Sequence, residues 1–278
     1  MIDLDKASSI SALFVGDAIM DEYVFVKTVG KAVKENALSS TFIKRESYKG
    51  GTWAAAAHAR NFCRQVDIEI GPWTMWNSRM VDDVYIRKLF VTHEKKLTEE
   101  FIAMFNIREY DVVVVTDFGH GTMTPAFIER VTREARYLAV NAQTNATNFG
   151  FNLITKYPRA DLVVVDELEA RLAAHDRDGD IEGVIEKLGF ERIIVTMGVK
   201  GAIGYDGAFS YAPALTDRAL DSMGAGDALL AVVAPYAAAG LPMKDLLRIG
   251  NAAGAVKIGI VGHRESVTKE AVRERLGN

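Results

Sequence analysis

Short apolar runs separated by polar turns pattern the chain, and the runs change character along its length. Residues 11–15 form a compact apolar stretch ending in Gly16-Asp17, the pattern of a buried strand that feeds a site at its C-terminal end. Between residues 22 and 49 the runs become short and β-prone, Tyr23-Val24-Phe25-Val26 and Ser40-Thr41-Phe42-Ile43, joined by a charged, glycine-containing connection. They predict a small sheet projecting from the main body. Gly50-Gly51-Thr52 then opens an alanine-rich helix, Trp53 to Ala59, in which His58 reads as a packed helix residue. Residues 67–90 have poor periodicity; Trp73 and Trp76 within them are read as core or lid packing in preference to a sugar platform.

Beyond this stretch the alternation is regular. Strands are predicted over 112–115, 137–140, 161–165 and 192–195, with helices over 125–135, from 167 through 174, and over 181–188. Strand alternating with helix over about a hundred residues predicts an α/β fold, a central, mostly parallel sheet with helices on both faces and ligands at the strand C-termini. Two short β segments, 202–205 and 209–212, lead to Asp221-Ser222-Met223-Gly224-Ala225-Gly226-Asp227 and a helix that is hydrophobic nearly all round, so it belongs inside. Helices over 246–259 and 269–276 follow. With no repeat, low-complexity tract or linker, residues 1–278 are expected to form one domain, with residues 22–49 as a small β lid inserted in it.

Composition narrows the classes of function. A net charge of −4 across 278 residues, with no basic block interleaved with aromatics, disfavours nucleic acid as a partner. A lone cysteine, Cys63, excludes an intrachain disulfide and fits a reducing compartment. The N-terminus carries acids where a signal peptide has bases, and the longest apolar run is interrupted by Pro235 and Gly240, short of the ~20 residues a bilayer requires. A soluble cytoplasmic protein with no membrane partner is expected.

Candidate chemistry centres on Gly224 to Asp227. A helix start leaves backbone N–H groups without partners and carries partial positive charge, so the amides of Ala225, Gly226 and Asp227 suit a phosphate group. An aspartate beside such a cradle can take the proton of an attacking hydroxyl. The same four residues also write an ordinary tight turn with a capping acid. The chain contains neither a Walker A loop nor a third glycine to complete a dinucleotide fingerprint. Asp17 and Asp21, four apart, could accept paired hydrogen bonds from vicinal hydroxyls, and a solvated loop would also explain them.

The stretch D-S-M-G-A-G-D resembles the D-T-x-G-A-G-D signature of the ribokinase-like (PfkB) carbohydrate kinases. G-D-A-I-M-D-E-Y, K-G-G-T-W-A-A-A-A, V-D-D-V-Y-I-R-K-L-F, V-T-D-F-G-H-G, D-E-L-E and T-M-G-V-K-G resemble motifs of the same family in the same order, nearest its heptose-phosphate kinase branch. The resemblance implies a ribokinase-like fold and ATP-dependent phosphorylation of a sugar or sugar phosphate, with Mg²⁺ as cofactor. It makes Asp227 the general base and Gly224, Ala225 and Gly226 the anion hole. It places Asp17, Asp21, Gly50 and Gly51 on the sugar side, Thr196, Gly198, Gly201 and Asn251 on the nucleotide side, and Glu169 with Asp166 at the metal. It also implies a homodimer through the β lid.

Departures accompany the resemblance. Ala54 stands where the family places a substrate asparagine, His120 where the branch places a lysine, and Asp166 where N-x-x-E begins. The strand–helix unit that normally follows the glycine-pair helix has no counterpart between residues 62 and 75. These changes keep open an alternative, a catalytically reduced sugar- or nucleotide-binding partner of a nucleotidyltransferase. For a phosphorylated acceptor, Lys44, Arg45 and Lys49 are candidate phosphate contacts; solvated charges on a protective sheet edge would look the same.

Overall fold

The structure, a computed structural model, describes residues 2–82, 89–93, 105–216 and 223–277. The chain opens with strand β1 (Ser11–Lys31), returns as β2 (Leu38–Gly51), enters helix α1 (Thr52–Ala59) and comes back as β3 (Gln65–Asp82), flanked by β4 (Leu89–His93). There follow β5 (Val112–Asp117), α2 (Pro125–Glu134), β6 (Leu138–Ala142), β7 (Leu162–Asp166), α3 (Glu167–Ala173), α4 (Ile181–Leu188) and β8 (Ile193–Thr196). The hairpin β9 (Ala202–Tyr205) and β10 (Phe209–Ala212) precedes α5 (Ala225–Ala238), α6 (Met243–Lys257) and α7 (Lys269–Leu276).

Among the described residues ten strands form one sheet in the order β10-β9-β8-β7-β6-β5-β1-β3-β4, with β2 paired to β1. Neighbours from β8 through β3 run parallel, and β9, β10, β4 and β2 pair antiparallel. The fold is α/β, a mostly parallel central sheet with helices on both faces. A parallel strand covered on both faces must be apolar on both, and β5 shows how its four valines divide. Val112 and Val114 join Phe14, Val164 and Ile194 beneath α5 and α6, while Val113 and Val115 join Leu13, Val140 and Val163 beneath α2, α3 and α4. Residues Ala228 to Ala237 of α5 are all buried, as a helix without a polar face requires. Among the described residues no helix is long and apolar enough to cross a membrane.

The N-terminal third departs from the sequence expectation. β1 does not stop at Gly16-Asp17; it crosses an irregularity there and continues to Lys31, because the outer half of β3 supplies a parallel partner from Ala18↔Thr74 to Val26↔Asp82. The projecting sheet is therefore the outer half of the main sheet, a ribbon made by β1, β2, β3 and β4. The aperiodic stretch after residue 67 is a strand as far as Asp82, with no helix between its inner and outer halves. Trp76 is 41% exposed on this ribbon, so it is not core. The Trp73 side chain and residues 83–88 of the V-D-D-V-Y-I-R-K-L-F stretch lie outside the described residues, as do Asp221 and Ser222. Cys63 packs against the core beneath α5, and burial pushes its thiol up to about 12, out of reactive range.

Candidate active site

Three adjoining cavities meet at the start of α5. Gly224 caps the helix with φ 73, a conformation costly for other residues, and a side chain there would also press on His263 Cε1 at 3.2 Å and Lys257 Cε at 3.3 Å. Asp227 follows in the first turn, 8% exposed, and accepts a hydrogen bond from the Gln143 side-chain amide. Burial raises its carboxyl to about 6, against the opposing pull of His263, Gln143 and Lys257. Such a group is ionised at neutral pH yet basic enough to accept a proton.

The first cavity is shaped by strand register. Partners across the ribbon share a face, so Asp21 lies with Asn77 and Tyr48, and Tyr23 with Arg79 and Glu46. Asp21, Asn77 and Arg79 line this cavity together with His120, Asn145 and Asp227. Asp21 accepts from the Arg79 guanidinium at 2.6 Å and lies 3.3 Å from His263 Nε2. Burial alone would push the Asp21 carboxyl up; His263 and Arg79 outweigh it and hold the group below the usual carboxylate range. Gly50 is required beside it, since a Cβ there would stand 2.0 Å from Asp21 Oδ2. Gly51 lines the same cavity.

Asp17 is placed differently from the sequence expectation. Its carboxylate accepts the backbone N–H groups of Phe118, His120 and Thr122 and is absent from the cavity wall. Asp17 thus shapes the loop that presents Phe118 and His120, and its oxygens are already committed to amides. Burial and the nearby Asp117 carboxylate raise its pKa.

The second cavity is a largely apolar cleft between the β8–β9 turn and helices α5 and α6. Thr196, Gly198, Gly201 and Asn251 line it with Ala225 and Gly226. Asn251 donates to the carbonyls of Ala212 and Pro213, at 2.9 and 2.8 Å, and so fixes the segment that forms the cleft's far wall. The third cavity joins the other two. Asp166, Glu169 and Thr196 line it opposite the Gly224–Asp227 turn. Asp166 and Glu169 form a reciprocal capping box at α3, in which Asp166 accepts from the Glu169 N–H and Glu169 accepts from the amides of Asp166 and Thr144. Burial and the neighbouring Asp166 raise Glu169 to about 7. Among the described residues no group of three or more His, Cys, Asp or Glu side chains is arranged to hold a metal.

Other sequence candidates fall away from this centre. Lys44 pairs with Glu46, and Arg45 with Glu22 at 3.3 Å. Lys49 stands over the Trp53 ring, beside a separate cavity that Ala54 and His58 also line. Sequence reasoning missed Arg79, Gln143, Lys257 and His263. Arg79 lies in the aperiodic stretch, and the others sit in loops or at a helix end, where no spacing marks them.

Residues 107–270, more than half of the chain, match the profile described as pfkB family carbohydrate kinase. The chain belongs to the pfkB family of carbohydrate kinases. This pfkB chain is 27% identical over 180 residues to the bifunctional protein HldE of Campylobacter jejuni subsp. doylei, covering 62% of the chain and 38% of that protein. It thus spans little more than a third of the curated relatives' length. Its fold resembles a Thermotoga maritima ribokinase with TM-score 0.74 at 17% identity, covering 97% of this chain and all of that one. An Arabidopsis thaliana ribokinase complexed with ribose and ATP superposes with TM-score 0.71 at 14% identity, covering 97% of this chain and 99% of that one. Among the described residues of this pfkB kinase, the start of α5 is the one element that faces all three cavities.

Proposed function

We propose that the chain transfers the γ-phosphoryl group of ATP to a hydroxyl of a phosphorylated sugar of the heptose-phosphate type. The observation that carries this reading is the position of Asp227, whose carboxylate lines both the polar cavity and the cavity leading to the glycine-rich cleft. The acceptor hydroxyl sits beside Asp227, and ATP lies in the cleft with its phosphates toward Ala225 and Gly226. The hydroxyl oxygen bonds to the γ-phosphorus as the bond from phosphorus to the ADP oxygen breaks, and the hydroxyl proton passes to Asp227. Gln143 orients that carboxylate. The amides of Ala225, Gly226 and Asp227 hold the transferring group.

A metal fits the third cavity. Asp166 and Glu169 are hard oxygen donors, and the repulsion that Asp166 adds to the burial of Glu169 is relieved by a cation. Mg²⁺ typically takes one or two carboxylates plus phosphate oxygens and keeps several waters, which suits this pair. When bound, it neutralises the phosphate chain.

The phosphate of the acceptor is assigned to Arg79, with the His120 side chain close by, in place of Lys44, Arg45 and Lys49. Support comes from Arg79 on the cavity wall and from the relationship to HldE. Residues 1–278 act as one domain, with residues 22–49 as part of a lid over the sugar. The outward face of that ribbon exposes Phe42, Trp76 and Met80, which a second copy would cover in a homodimer. Its free, core-packed Cys63 suits the cytoplasm.

ADP release in the presence of Mg²⁺, ATP and a panel of sugars and their phosphates tests the reading, and the phosphorylated heptose is expected to be the best acceptor. No ADP release with any acceptor on the panel would favour a binding partner of a nucleotidyltransferase. That alternative is supported by Ala54, which has no polar side-chain atom where the resemblance places a substrate asparagine, and by the closed Asp21–Arg79 pair.

A further inference from the structure

Lys257 ends α6, a position from which a lysine normally reaches out to water past the helix carbonyls. Here it turns inward and is fully buried, at 0% exposure. Its ammonium donates to the carbonyl of Gly262 at 3.0 Å, and its Cε stands 3.3 Å from the point a Cβ on Gly224 would occupy. The charge therefore lies directly behind the turn that starts α5. Taking an ammonium out of water is costly, and nearby negative charge offsets that cost. The ammonium lies between the negative end of α6, which favours a cation, and the positive end of α5, so its charge adds to the positive field at the turn.

We propose that Lys257 is a built-in cation of the anion hole, adding a fixed positive charge behind the amides of Ala225 and Gly226 to hold the negative charge of the phosphoryl group in transfer. The inference rests on the kinase reading above and deepens it. Lys257 touches no reacting atom; it acts through the field it sets up at the turn. The same field opposes the effect of burial at Asp227, which also faces His263, Gln143 and Asp21. The carbonyl of Gly262 fixes the ammonium, so the loop after α6 and the turn before α5 are positioned by one side chain.

Two variants separate charge from packing. Lys257→Gln retains an amide donor for Gly262, and Lys257→Met retains the length without polarity. In both, with folding checked by circular dichroism and melting temperature, kcat is expected to fall about 10- to 100-fold while KM for ATP changes less than about threefold. The acid limb of the rate profile should move to higher pH in both, and ammonium chloride should restore part of the rate of Lys257→Met where tetramethylammonium chloride does not. Full kcat in Lys257→Gln would overturn the proposal, since the charge is lost there. Binding of inorganic phosphate to the ADP complex, followed by ³¹P NMR, reads the anion hole without turnover and should weaken at least about fivefold in both variants. Equal phosphate affinity would overturn the role of Lys257 whether or not a sugar is phosphorylated; weakened phosphate affinity in a protein that turns over no sugar would leave Lys257 in place and remove the kinase reading alone.

Discussion

Arg79 donates to Asp21 at 2.6 Å from one strand further along the ribbon, and both side chains are buried. The pair is diagonal across β1 and β3, because Asp21 stands in register with Asn77 and Arg79 with Tyr23. A carboxylate held this way is a poor acceptor for sugar hydroxyls while the guanidinium occupies it. A phosphate dianion is a stronger partner for the guanidinium, and its arrival frees Asp21 for hydroxyls.

The first prediction follows from that exchange. Arg79→Met should lower kcat/KM for the phosphorylated sugar about 10- to 100-fold and that for the unphosphorylated sugar much less, so the preference between them collapses. Arg45→Gln and Lys49→Gln, which lie off the cavity, should leave the preference intact. Competition kinetics with both sugars decides it: an equal loss for the two acceptors in Arg79→Met would reduce the arginine to a structural tie.

Asp227 is expected to couple activity to pH and to oppose stability. Asp227→Asn should lower kcat roughly 10²-fold or more with ATP affinity nearly unchanged. In the wild type the rate should fall as pH drops through about 6, where the buried carboxyl takes up its proton. The stability effect has the opposite sense. The folded-state value, about 6, exceeds the ordinary 3.8, so the folded protein binds the proton more tightly and this group's contribution to stability falls as pH rises from about 4 to about 6. Asn imitates the neutral acid, so the variant should be more stable than wild type at pH 8, by roughly 1–3 kcal/mol, and no more stable near pH 4. Urea unfolding at the two pH values measures this; a variant less stable at pH 8 would contradict the assigned burial cost.

Much of this site is legible in the sequence where backbone geometry carries the function. Gly224, Gly226 and Asp227 announce themselves because a glycine turn, an acid and an all-apolar helix occur in one run, and Gly198 and Gly201 because a strand ends at them. The central strands and most helices were equally plain, since burial on both faces imposes unbroken apolar runs such as Val112 to Val115. The ribbon was not. One of its faces looks into a polar cavity, so Asn77 and Arg79 replace the hydrophobic half of the alternation and the strand reads as irregular. Lys257 and His263 gave no sign, because their importance comes from chain segments meeting in space. Asp17 illustrates the reverse: a conspicuous acid after an apolar run, whose oxygens are spent on three backbone amides.

The glycine-rich cleft allows a test that leaves the fold alone. A Cβ built on Gly226 meets no protein atom within 4 Å, and the residue is helical, so a side chain has room to leave the backbone there, and Val is a better helix former than glycine. Its side chain would occupy the space between the cleft and the third cavity, both of which Gly226 lines. Gly226→Val should therefore keep its melting temperature within about 2 °C of wild type, since a helical exposed change is worth well under ~1 kcal/mol, while ATP affinity falls at least about tenfold. Calorimetric titration with ATP checks it, and unchanged affinity would move the nucleotide out of this cleft.

The last prediction concerns the outward face of the ribbon. Alternation places Met20, Val24 and Val26 of β1 on the side opposite Asp21 and Tyr23, and their partners there are Trp76, Met80 and Phe42. Those three are 41%, 45% and 59% exposed, whereas a monomeric sheet edge ordinarily protects itself with charge. A second copy applied to this face would bury them and would hold each ribbon over its own cavity, since Arg79 and Asp21 lie on the other side of the same strands. The double variant Phe42→Glu, Met80→Glu removes apolar surface from the outward face without touching the cavity side. It should halve the mass seen by light scattering, and it should raise KM for the sugar several-fold because the ribbon is no longer braced. The core of the chain does not depend on either residue, so thermal unfolding of the variant should remain cooperative. A wild-type protein that scatters as a monomer at high concentration would refute the dimer, and a monomeric variant with wild-type KM would show that the lid stands without its twin.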